Sequence, residues 1–112
     1  MLKVSSNNSI YITRGDSAVI ALNVTDSEGA AYDFSNDTVK FTVKKNCQDK
    51  LTVIEKTFDE NGQISLEPAD TEGLTFGDYW YDVQLTHTEN NSVTVDTIIV
   101  PTTFTVGAEV SW

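Results

Sequence analysis

Apolar residues recur at every second position along most of this chain, and no stretch of ten or more residues carries a helical period. Period-two alternation describes strands with one buried and one exposed face. Ala18, Ile20, Leu22 and Val24 alternate with Val19, Ala21, Asn23 and Thr25. Val39, Phe41 and Val43 alternate with Lys40, Thr42 and Lys44, and Tyr79, Tyr81, Val83 and Leu85 with Trp80, Asp82, Gln84 and Thr86. A first short strand is read at Ser9–Thr13, with others at residues 51–58 and 63–67 and a short stretch around Tyr32-Asp33-Phe34. Turn chemistry separates them at Arg14-Gly15-Asp16, Asp26-Ser27-Glu28-Gly29, Asp59-Glu60-Asn61-Gly62 and Thr88-Glu89-Asn90-Asn91. Pro68 to Leu74 has room for one helical turn. In the last strand, Val93 to Val106, the apolar phase changes between Val95 and Phe104, and Pro101 cannot donate to a ladder. A bulge at Ile98–Pro101 would account for both. Seven or eight strands at turn spacings near ten residues predict an antiparallel β-sandwich.

With 112 residues the chain suits a single domain spanning 1–112. Seventeen acidic residues against seven basic ones give a net charge of -10. That charge would repel phosphates, so neither nucleic acid nor an anionic membrane is an expected partner. Cys47 is the sole cysteine, which excludes an internal disulfide. Residues Met1 to Asn8 contain no apolar h-region, so synthesis and folding in a cytoplasm are expected. No apolar run is long enough to span a bilayer.

The segment Asp70-Thr71-Glu72-Gly73-Leu74-Thr75-Phe76-Gly77-Asp78-Tyr79-Trp80-Tyr81-Asp82-Val83 resembles the E–F corner of immunoglobulin-like domains. The resemblance implies that the Tyr79 hydroxyl satisfies backbone groups at that corner. The paired cysteines and core tryptophan of antibody domains are missing. The chain is more similar to small immunoglobulin-like modules of bacteriophages, such as the N-terminal domain of baseplate upper proteins and head or tail decoration domains. That likeness rests on an ordered set: Ile12-Thr13-Arg14-Gly15-Asp16, Asp26-Ser27-Glu28-Gly29, Val39-Lys40-Phe41-Thr42-Val43-Lys44-Lys45, Asp70-Thr71-Glu72-Gly73-Leu74 and Gly77-Asp78-Tyr79-Trp80-Tyr81-Asp82-Val83. It implies a virion structural part with no catalytic site and no cofactor, partnered by other virion proteins. The baseplate domain is followed by a helical and fibre region, whereas this sequence stops at Trp112. A capsid decoration protein is therefore expected first, with a baseplate, neck or tail adaptor or a host-surface adhesion module as alternatives. In the adhesion reading, the loops Asp26–Gly29 and Thr88–Asn91 would contact carbohydrate, with Tyr32 the one aromatic near them.

Short motifs add little chemistry. Arg14-Gly15-Asp16-Ser17 matches an integrin-binding tripeptide but also reads as a tight turn. Four Asn-x-Ser/Thr triplets, at Asn7, Asn23, Asn36 and Asn90, are not expected to be glycosylated in a cytoplasm. Cys47 and His87 are the sole candidates for a thiol dyad, and the strand order places them at opposite poles. The acidic groups Asp26/Glu28, Asp59/Glu60 and Asp70/Glu72/Asp78 follow no calcium-loop pattern and read as solvated turns, with Glu72 and Asp78 the best remaining ligand pair. No catalytic or metal residue is assigned. The outward aromatics Trp80 and Tyr11, with Trp112 at the end, are the expected partner interface. Shielding of Trp80 by neighbouring Lys and Thr stems is an equal reading, and Trp112 either docks or frays.

Overall fold

The computed structural model describes residues 2–4, 7–22 and 37–108. The strands Asn23 to Thr25 and Tyr32 to Phe34, the Asp26–Gly29 turn, the sequons Asn23 and Asn36, and Trp112 lie outside them. The described chain forms β1 (Leu2–Val4), β2 (Ile10–Thr13), β3 (Ala18–Ala21), β4 (Asp37–Lys44), β5 (Ile54–Thr57), β6 (Gln63–Leu66), α1 (Pro68–Glu72), β7 (Gly77–Glu89) and β8 (Ser92–Gly107). It is a mostly β fold. Six strands make one sheet in the order β1-β2-β8-β7-β4-β5, and β3 pairs with β6 in a second.

The expected all-antiparallel arrangement is wrong at one ladder. β2 runs parallel to β8, with Ile10 opposite Phe104 and Ile12 opposite Val106, so the large sheet is mixed. Side-chain alternation is identical in parallel and antiparallel strands, so the pattern carries no direction. A parallel pair needs only a long connection, and nearly the whole chain lies between these two strands. β1 was not expected. Its three residues are too few to show alternation, yet they pair antiparallel with β2.

The alternating residues face as their spacing requires. Val39, Phe41 and Val43 of β4, Tyr79, Tyr81, Val83 and Leu85 of β7, and Phe104 and Val106 of β8 are buried. Ile64 and Leu66 of β6 close the core from the smaller sheet, with Ala18 and Ile20 packed against it. Phe41, Tyr81 and Phe104 sit on adjacent strands with ring centroids 5.2 Å, 6.0 Å and 6.4 Å apart, tilted or edge-on. Such geometries add roughly 0.5–1.5 kcal/mol per pair to the burial itself.

Local chemistry sets the turns. Gly62 adopts φ 74° at the end of its hairpin turn, where Asp59 accepts hydrogen bonds from the amides of Asn61 and Gln63. Asn90 and Asn91 both adopt positive φ, matching the two-residue connection between Glu89 and Ser92. Pro68 begins α1, and Asp70 accepts from the Glu67 amide at 2.7 Å. Thr71 is fully buried, and its hydroxyl accepts the Gly15 amide at 2.8 Å, tying α1 to the turn after β2.

β8 contains two bulges where one was expected. Tyr81 opposes Thr102 and Val83 opposes Ile99, leaving Val100 and Pro101 against the single residue Asp82. Gln84 then opposes Thr97, which leaves Ile98 unpaired. One bulge reverses the faces of a strand, and a second restores them. Val93 and Val95 therefore do not join Phe104 on the buried face. They oppose Thr88 and Thr86 on the outer face, 64% and 55% exposed.

Candidate outer-face binding site

The outer face of the large sheet holds what the core does not use. Even-numbered β7 residues point there, and the ladder to β4 sets Lys44 opposite Trp80, Thr42 opposite Asp82 and Lys40 opposite Gln84. On the other side Trp80 opposes Thr103. The first β8 bulge brings Pro101 beside Asp82, and the loop after β4 brings Cys47 and Thr52 over the opposite rim. That loop is held by the Asp49 carboxylate accepting the Asn46 amide at 3.1 Å and by the Val53 amide donating to the Val43 carbonyl at 2.8 Å. The result is an open groove of about 240 Å³ lined by Thr42, Lys44, Thr52, Trp80, Asp82 and Gln84 with Cys47, Tyr81 and Pro101.

Trp80 is 38% exposed at the groove wall. Burial raises the Asp82 carboxyl above its usual range, and the Lys44 ammonium partly offsets this. Neither the Asp82 and Gln84 side chains nor the Trp80 ring nitrogen hydrogen-bonds another described residue. Beneath the floor, the Tyr81 ring is part of the core and its hydroxyl donates to the Asn8 carbonyl. Burial pushes that phenol up to about 12.

Of the three expected interface residues, the structure places Trp80 and Tyr11 on the same outer face, and Trp112 lies outside the described residues. Tyr11 is 43% exposed but has a packing task. Its ring covers Gly107, where a Cβ would fall 1.9 Å from the phenol oxygen. Sequence reasoning missed the remaining groove residues. The outward run Trp80, Asp82, Gln84 was a legible signal, whereas Thr42, Lys44, Thr52 and Pro101 join it only through strand pairing and a bulge.

The other motifs resolve into structure. Arg14-Gly15-Asp16 is a closed turn: the Asp16 amide donates to the Thr13 carbonyl at 3.1 Å, Gly15 has φ 87°, and the Arg14 guanidinium stacks 4.3 Å over the Phe76 ring. The Tyr79 hydroxyl donates to the Thr75 carbonyl at 3.0 Å, a backbone contact of the kind its resemblance implied. Asp37 opposes His87 at one end of the β4–β7 ladder and Lys44 opposes Trp80 at the other, with Cys47 three residues beyond. Seven residues at about 3.3 Å separate Cys47 from His87 by more than 20 Å. His87 instead contacts the Asp37 carboxylate through Nδ1 and lies 3.4 Å from Glu89 through Nε2, so its pKa is raised chiefly by the Asp37 hydrogen bond. Asp70 also meets Lys56 at 3.0 Å, and Asp78 accepts the Thr105 hydroxyl at 2.7 Å. Among the described residues no three His, Cys, Asp or Glu side chains converge as metal ligands. Asp26, Glu28 and Tyr32 lie outside them.

A second surface adjoins the groove. β2 pairs only with Phe104–Gly107 of β8, so the remainder of β8 from Ser92 has no strand on its far side among the described residues. Along that edge Val93, Val95 and Val100 are all more than half exposed. In comparison with known proteins, the chain matches no family model and no curated sequence.

Proposed function

We propose that this chain is an immunoglobulin-like β-sandwich module of a bacteriophage virion that binds other virion proteins and performs no catalysis. The observation that carries the binding reading is the β8 arm. Its edge, unpaired among the described residues, offers backbone donors and acceptors, and its valines offer apolar surface beside them. Water-exposed edges of this kind pair with other chains unless they are blunted, and Asp96 is the one charge between Ser92 and Val100. The immunoglobulin-like assignment draws on two packed sheets and the Tyr79–Thr75 contact at the corner before β7. The virion assignment draws on the ordered turn motifs that resemble phage modules. A capsid decoration role leads, with the baseplate, neck and tail as alternative positions, and the net charge of -10 favours a basic docking patch.

The test is the copy number of this chain in purified particles of a phage that encodes it. Hundreds of copies per particle support a decoration role, and a small multiple set by tail symmetry supports an adaptor. Absence from the particle refutes the virion reading. Val93→Glu with Val95→Glu should leave the fold intact, since exposed substitutions cost within about 0.5 kcal/mol each, and should deplete the protein from particles. Undiminished incorporation would refute docking through the β8 arm.

A further inference from the structure

The groove beside Trp80 differs in chemistry from the β8 arm. Its lining alternates an aromatic ring with hydrogen-bonding side chains: Trp80, then Asp82 and Gln84 on β7, with Thr42 and Lys44 across the ladder. The cores of protein–protein interfaces are depleted in Lys and Asp, so this is poor ground for a protein partner. Phosphorylated or otherwise anionic ligands are disfavoured by the net charge of -10 and by Asp82 in the floor. At about 240 Å³ the groove is smaller than the 300–1,000 Å³ typical of sites for drug-sized ligands, and it suits one ring at a time.

We infer that this groove binds one pyranose ring of a neutral glycan, stacked on Trp80 and hydrogen-bonded by Asp82, Gln84 and Lys44. A pyranose has an apolar C–H face and a rim of hydroxyls, each both donor and acceptor. The half-exposed indole supplies a flat apolar partner for that face. Asp82 accepts, Lys44 donates, and Gln84 does both. None of the β7 groups is committed elsewhere among the described residues, so no internal bond must break before the sugar binds. The opposed charges of Lys44 and Asp82 leave the floor close to neutral, which selects uncharged sugars. The open groove lets a chain of sugars enter and leave along the sheet face. This inference goes beyond the virion reading and holds or fails without it, because it concerns the isolated chain.

The experiment is a titration of the purified chain carrying Trp112→Phe, so that Trp80 is its sole tryptophan. Glucose, galactose, mannose, N-acetylglucosamine and their neutral oligomers are added while indole fluorescence is followed. The expected result is a saturable change with dissociation constants on the order of millimolar for the best monosaccharide, tightening with chain length. Gln84→Ala and Asp82→Ala should each weaken binding about tenfold, corresponding to one lost hydrogen bond to a polar or charged group. Both variants should keep the parent's circular dichroism and thermal midpoint, which separates lost binding from lost folding. Three results would overturn the inference: no saturable response from any neutral sugar, preference for anionic sugars, or binding that survives both substitutions. A particle-incorporation failure would leave the sugar result untouched, and the converse also holds.

Discussion

Thr71→Val is the sharpest test of how the fold is joined. Thr71 is fully buried in α1, and its hydroxyl accepts the Gly15 amide across the gap between α1 and the turn after β2. Valine keeps the volume and removes the acceptor. A donor left without a partner costs roughly 1–3 kcal/mol, more than the net worth of the bond that is lost. For a chain of 112 residues that corresponds to a fall in Tm of about 5–12 °C. Thr71→Ser makes the complementary change. It keeps the acceptor and removes one buried methyl, at about 1 kcal/mol. The assay is thermal and urea unfolding of the three proteins, with hydrogen exchange at the Gly15 amide. The expected order of stability is wild type, then serine, then valine, with Gly15 exchange accelerated only by valine. A valine variant as stable as wild type with Gly15 still protected would refute the reasoning, because the amide would then have found another acceptor at no cost.

Three further outcomes follow from the same geometry. The raised pKa of His87 stabilises the fold fully below its unfolded value near 6.5 and is lost as pH rises through the higher folded value, so unfolding midpoints should fall across that window in the wild type and fall less in Asp37→Asn, where only Glu89 still holds the ring. Gly107→Ala should destabilise the protein by displacing the Tyr11 ring, and a double-mutant cycle with Tyr11→Ala should show coupling above about 0.5 kcal/mol; strict additivity would show that the ring does not rest there. Cys47 is exposed, so it should react with a thiol reagent in the folded state, and Cys47→Ala should shift stability by no more than about 0.5 kcal/mol; an inert thiol would place it in the interior.

Much of the candidate groove was half legible. Trp80 and Tyr11 were read on the outer face from alternation alone, and both are there. Alternation could not say that Lys44 stands opposite Trp80 or that Pro101 closes the rim. Those neighbours lie dozens of positions away in sequence, and their meeting depends on register and on a bulge. The opposite poles of Cys47 and His87 were legible because they follow from counting reversals, which needs no knowledge of side-chain packing.

Period and backbone preference were enough to place the core-facing residues of β4, β6 and β7 and the turns at Gly15, Gly62 and Asn90-Asn91, and the described residues hold no helix longer than α1. Each of these is a local property of backbone preference and period. The remaining features arise from contacts between distant strands. Strand direction at the β2–β8 ladder is invisible to a period of two. The three residues of β1 gain order from the strand they join rather than from their own pattern. The valines of β8 show the limit most clearly. A change of apolar phase suggested one bulge at Ile98–Pro101, and two bulges leave Val93 and Val95 facing solvent. Each bulge shifts the register by one residue, so the face a residue occupies depends on the partner strand as much as on its own sequence.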